Sequence, residues 1–209
     1  MNASTTLMGT SFAAAALIAV TLVPATTAGA DAGTVSEERA AAARTKLTFT
    51  VEDCEGCEIQ LTSALGTIAQ ANAGKVDIWS SKTRTVQDGS VTFNIATKRT
   101  RGLSVAVRAP WEGHTGYRTT VAWRYNGMVQ GDPVTLEQAV TKKKASACWE
   151  GVRSRKVTVP LVVEKVRVAG VQKKVNGSIA FVPTTQSWLR PMREVWDGVL
   201  GSQDVNICH

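Results

Sequence analysis

Cys54 and Cys57 stand three positions apart in VEDCEGCEIQL (51–61). That spacing suits a redox dithiol, half of a zinc site, or a small disulfide loop. A thioredoxin-type dithiol needs a helix N-terminus to stabilise its thiolate. Here strand-forming residues flank the pair, and Glu52, Asp53, Glu55 and Glu58 surround it. Those carboxylates disfavour a thiolate. A zinc site would need two further ligands, but Cys148 and Cys208 are distant and the histidines lack ligand spacing. The remaining chemistry is a cross-link. Four cysteines allow three pairings. We favour Cys54–Cys57, a staple at a corner between two strands, and Cys148–Cys208, which ties the C-terminus back. Loop-closure entropy gives about 2 kcal/mol for the short loop and about 4 kcal/mol for the long one.

Other chemical groups are sparse. There are two histidines, His114 in the loop WEGHTGY (111–117) and the last residue, His209. His114 could serve a Ser/His/Asp system, but no nucleophile-elbow motif accompanies it, and it reads as a polar loop residue. Phosphate-binding glycine loops are missing, and nothing points to paired carboxylates. No catalytic residue, metal ion or cofactor is expected. Of the six tryptophans, Trp123 alternates with Val121 and Tyr125 and belongs to a core face. Trp111 follows Pro110 in a glycine-rich loop. It is either an exposed ring for sugar stacking or a protein contact, or a ring folded over the end of the domain.

Charge is unevenly placed. The stretch 142–174 holds ten basic and two acidic residues, a net charge of +8 against +7 for the whole chain. Lys165 and Arg167 alternate with Val166 and Val168, so they share a solvent face, to which we add Lys174. Such a face attracts anionic partners. Nucleic acid is not expected, because the aromatic-basic interleaving of RNA-binding modules is absent.

The elements that hold these groups read as β-sheet in an exported chain. Residues 1–30 carry no charged side chain; the apolar run 12–23 is followed by Ala28-Gly29-Ala30, a small-x-small cleavage pattern. No Lys or Arg precedes the run, a departure from the usual signal peptide. The run is shorter than the roughly 20 residues that span a bilayer, and no membrane insertion is expected. A secretory signal peptide over 1–30, an N-terminal arm over 31–45 and one domain over 46–209, with a sub-boundary near 130–145, follow from this reading. The arm (DAGTVSEERAAAART) has capping-box spacing at Thr34–Glu37 but little apolar surface to bury. It is either frayed or ordered by a partner.

From Lys46 the apolar period is two. Leu47, Phe49 and Val51 alternate with threonines, and similar runs follow at 91–95, 103–107 and 121–125. Asp88-Gly89 and Asn126-Gly127 are hairpin turns by type. The runs 157–168 and 171–182 read as two long strands parted by Ala169-Gly170, with Pro160 placing the first at an edge and Asn176-Gly177 interrupting the second. Helices are expected over 135–147 and 185–200, the latter weakened by Pro191; 62–73 is helix or loop. The fold class is all-β, an antiparallel β-sandwich (prealbumin-like or Ig-like), disulfide-stapled, with few short helices. DGSVTFNI, RTRGLSVAVRAPW and YRTTVAWRY within 88–125 resemble prealbumin-like and carboxypeptidase-regulatory-like sandwiches, which implies fold and no activity.

Ala, Val and Thr usage resembles that of high-GC actinobacteria. An exported small β-sandwich with an arm resembles the adaptor subunits of umbrella-shaped toxin particles. The resemblance implies a secreted, extracellular, non-enzymatic protein that binds another secreted protein. Contacts are expected from the arm (Val35, Glu37, Arg39, Arg44) and the loop (Trp111, His114, Tyr117). The alternative is a carbohydrate or anionic cell-wall binding module using Trp111, Tyr117 and the basic face Lys165, Arg167 and Lys174. An extracellular hydrolase is the third and least supported class.

Overall fold

A computed structural model describes residues 43–115, 118–125, 131–140, 145–195 and 205–209. In chain order its elements are β1 (Arg44–Thr50), β2 (Glu58–Leu65), α1 (Ile68–Asn72), β3 (Asp77–Ser80), β4 (Arg84–Thr85), β5 (Ser90–Ala96), a 3-10 turn (Thr97–Thr100), β6 (Leu103–Arg108), β7 (Thr119–Ala122) and β8 (Arg124–Tyr125). There follow α2 (Leu136–Val140), β9 (Ala145–Ser146), β10 (Lys156–Pro160), β11 (Val162–Ala169), β12 (Lys174–Phe181), β13 (Glu194–Val195) and β14 (Ile207–Cys208).

Two sheets form the sandwich. The smaller runs β10-β1-β5; the larger runs β11-β12-β7-β6-β2-β14-β13, with β3 and β4 also paired to β2. The period of two is the cause. Leu47 and Phe49 of β1 and Phe93 and Ile95 of β5 turn inward to meet Ile59, Leu61, Leu103, Val105 and Val121 of the larger sheet in one core. Aromatic rings cross from sheet to sheet: Phe49 lies 6.4 Å from Trp123, and Trp123 stacks on Trp149 at 4.9 Å. The core place read for Trp123 is therefore observed. On the outer side of the small sheet the register gives three rows: Lys156–Lys46–Asn94, Thr158–Thr48–Thr92 and Pro160–Thr50–Ser90.

The all-β, disulfide-stapled sandwich with short helices is the observed fold. Most ladders are antiparallel, but β1–β10, β7–β12 and β2–β14 are parallel. Alternation encodes which face a residue takes, not strand direction; long connections permit parallel pairs. The Asp88-Gly89 turn forms as read. Both residues have positive φ (50° and 66°), and Gln87 and Ser90 exchange backbone hydrogen bonds across it, the geometry of a type I′ hairpin.

Other expectations are corrected. The run 157–168 is two strands in two sheets, because the chain crosses at Leu161, whose N–H donates to the Thr50 carbonyl. Pro160 does sit on an edge strand, β10. Asn176-Gly177 does not interrupt β12; both residues pair with β11. Over 62–73 the chain is strand to Leu65, then the one-turn helix α1, started by a Thr67–Gln70 capping box. In the 135–147 stretch, helix is described only at Leu136–Val140, entered through reciprocal Thr135–Gln138 bonds. No helix occurs in 185–195: Pro191 bridges to Trp149 and Glu194–Val195 is strand. β1 begins at Arg44, two residues inside the expected arm, because the buried Thr45 hydroxyl bonds to Ser154 O and to Thr97. The segment read as a signal peptide (1–30), residues 31–42 of the expected arm, Tyr117, the expected turn at Asn126-Gly127, residues 142–144 and Trp196 lie outside the described residues.

Candidate functional site

The two sulfur pairs are as favoured. Cys54–Cys57 closes a turn between β1 in one sheet and β2 in the other. Within it the Cys57 N–H donates to Cys54 O, and the turn is held to Val86 by two backbone bonds. Both cysteines are at most 1% exposed. An attacking thiolate must reach sulfur to exchange it, so burial makes this pair a staple. Glu55 turns away to accept from the Gly89 N–H at 3.3 Å. Cys148–Cys208 spans sixty positions and anchors β14. Among the described residues, no three His, Cys, Asp or Glu side chains converge on a metal position.

Lys165, Arg167, Lys173 and Lys174 of the basic stretch lie on the β11–β12 hairpin. The register sets Ala169 against Lys174, Arg167 against Asn176 and Lys165 against Ser178. Alternation then puts Lys165, Arg167 and Lys174 on one face, and all three are exposed. Arg167 lies across the hairpin, donating from Nη1 to Asn176 Oδ1 and from Nη2 to Lys174 O, both at 3.1 Å. Its charge is therefore held in place at little further entropic cost on binding. At the tip, Val171 is 60% exposed, the most exposed large apolar side chain among the described residues. Glu164 takes the opposite face.

The loop containing Trp111 and His114 is sewn onto this hairpin. Gly113 N donates to Asn176 O, and Val171 N donates to His114 O. Close approach requires glycine twice: a Cβ on Gly113 would lie 2.8 Å from Val175 Cβ, and one on Gly170 would lie 2.6 Å from Lys173 O and 2.8 Å from His114 O. Trp111 is not a free exposed ring. It is half-buried against the core, and its indole N–H points at Ser178 Oγ (3.1 Å) and Gly177 O (3.4 Å). The bonded N–H ties the ring to β12 and so helps to seat the loop. The His114 side chain is exposed beside it.

Of the other expected contacts, Arg44 opens β1 at the end opposite to Thr50, from which β11 departs, and bonds Asn94 through its guanidinium. Val35, Glu37, Arg39 and Tyr117 lie outside the described residues.

Sequence reasoning missed Glu194. It sits opposite Cys208 in the β13–β14 ladder. One carboxylate oxygen accepts from the Ser146 hydroxyl at 2.9 Å, from the Cys148 N–H at 3.0 Å and from the Ala147 N–H. Burial nevertheless outweighs these donors and holds its carboxyl above the ordinary pKa of a glutamate. It clamps the turn that carries Cys148. No sequence pattern marks this, because donors and acceptor are almost fifty positions apart.

No protein-family model matches the chain, and no curated protein or solved structure is similar enough to support an inference.

Proposed function

We propose that this chain is a secreted, non-enzymatic binding protein that joins an acidic protein partner to a larger extracellular assembly. Two fully buried disulfides support an oxidising compartment outside the cytoplasm. No described helix is long and apolar enough to cross a membrane. With every cysteine cross-linked, thiol chemistry is not on offer.

The observation that carries the reading is the hairpin: an exposed apolar tip, Val171, beside a face of three exposed cations, one of them pre-oriented. Protein interfaces combine an apolar centre with a polar rim, and the sign of this rim selects an acidic partner. The test is the triple charge reversal Lys165→Glu, Arg167→Glu and Lys174→Glu in the secreted protein. Wild type purified at low salt should bring down a stoichiometric acidic protein that the variant loses, with the thermal midpoint within a few degrees of wild type. Equal recovery by both would sink the proposal.

A further inference from the structure

We infer that the outer face of the three-stranded sheet is a second binding surface, and that its ligand is an extended phosphodiester-linked polymer seated at the Arg44 end. Three observations place it. First, Lys46 and Lys156 stand directly opposite each other on adjacent strands, and both are exposed. Like charges so placed repel. Arg44 lies one row further along β1, and Arg155 precedes Lys156, its carbonyl accepting from Lys46 N. Second, no ion pair with a described carboxylate relieves any of these four; the described ion pairs are Arg99–Asp77 and Arg190–Glu150. The sheet face carries no acid in any of its three rows. At the Arg44 end the described acid Asp77 is taken up by Arg99 at 2.7 Å, and Glu52, Glu55 and Asp88 lie past the other end of the strands. Third, both edges of the sheet are guarded. On β5, Arg84 donates to Thr92 O (2.7 Å) and Arg44 to Asn94 O, while β10 ends in Pro160. Strand addition is discouraged at such edges, which leaves the face as the docking surface.

The ligand chemistry follows from what the face offers. Alternate residues along a strand are about 6.8 Å apart, and neighbouring strands about 4.8 Å apart. Lys156 and Lys46 stand side by side across β10 and β1, and the Arg44 guanidinium is held at Asn94 on β5, so three positive charges cross the face to meet anions repeated along a flexible chain. The next row, Thr158–Thr48–Thr92, supplies hydroxyls, with Thr48 and Thr92 already bonded at 2.9 Å. No aromatic ring stands in the rows to stack a base, and no large apolar side chain to enter a bilayer. A phosphodiester polymer with small polar repeats uses all that the face offers, whereas nucleic acid would leave its bases unstacked and a membrane would gain no insertion.

The experiment titrates the secreted protein with poly(glycerol phosphate) over a range of salt. Lys46→Gln/Lys156→Gln should weaken binding about 10-fold at about 50 mM salt and flatten the log–log salt slope by roughly 0.7 per charge lost. The same variant should melt no lower than wild type, since its like-charge pair is gone. The hairpin triple reversal should bind the polymer as wild type does, which separates this surface from the one proposed above. Unchanged affinity in the double variant would overturn the inference. So would an equal loss in the hairpin variant, or tighter binding to single-stranded DNA or to phosphatidylglycerol vesicles than to the polymer.

Discussion

Removing each disulfide in turn tests how the sandwich is held closed. Cys148→Ala/Cys208→Ala opens a loop closed across sixty positions and Cys54→Ala/Cys57→Ala one closed across three. Chain entropy assigns about 4 and about 2 kcal/mol to these closures. All four cysteines are at most 1% exposed, so the packing lost with each pair of sulfurs is similar. The difference between the double variants, about 2 kcal/mol, isolates the loop term. Against wild type, the long-loop variant should melt roughly 8–16 °C lower for a domain of this size. It should also show a larger urea m-value, because its unfolded chain is less constrained. The damage should begin locally. Apart from the disulfide, β14 is held by one pairing to β2 and two to β13. Amides of Gly66, Arg193 and His209, which bond in that ladder, should lose exchange protection before the core does. Urea titration and hydrogen exchange read these effects. If the two double variants lose equal stability, or the short loop costs more, the account of the long bridge as the main covalent constraint is wrong.

Glu194→Gln keeps the acceptor oxygen and removes the buried charge. Because the folded pKa is raised, the wild-type group contributes stability that is full below its unfolded pKa and is lost as pH rises through the folded value. The variant should therefore match wild type near pH 4 and exceed it near pH 7, as measured by urea midpoints; a variant less stable at pH 7 refutes the assignment. Gly170→Ala should lift the loop at 111–115 from the hairpin, because the new methyl meets Lys173 O and His114 O. The expected readout is faster exchange at the Gly113 and Val171 amides with the β1 and β6 amides unaffected; unchanged exchange would refute the close-approach argument.

What was legible in the sequence was local. The inward set Leu47, Phe49, Phe93, Val105 and Val121 follows from a period of two, and the Asp88-Gly89 turn from the need for two positive φ angles. The sulfur pairs followed from compartment and charge. What failed depended on partners far along the chain. The run 157–168 is uniformly strand-like, so nothing in its residues announces that Leu161 hands the chain from one sheet to the other. Residues 185–195 could be amphipathic helix by composition, yet pairing with Trp149 and Cys208 takes them into strand and bridge. Trp111 stayed open between an exposed ring and one folded over the end of the domain, because loop position does not reveal that Ser178 waits for its N–H.

The crossing at Leu161 also explains why one basic stretch yields two surfaces. In sequence, 142–174 is a single block of ten cations. In the fold, Arg155 and Lys156 begin β10 in the small sheet, whereas Lys165, Arg167 and Lys174 belong to the hairpin of the large one. Lys156 stands opposite Lys46 and belongs to the surface proposed for the polymer; the second group flanks Val171 and belongs to the surface proposed for the protein partner. Exposed charges more than a Debye length apart, about 8–10 Å at moderate salt, are largely screened from each other. Reversals on one surface should then leave binding at the other unchanged, and the two sets of variants should add within about 0.5 kcal/mol when combined. If both proposals hold, the two faces let the chain take a polymer and a protein at once.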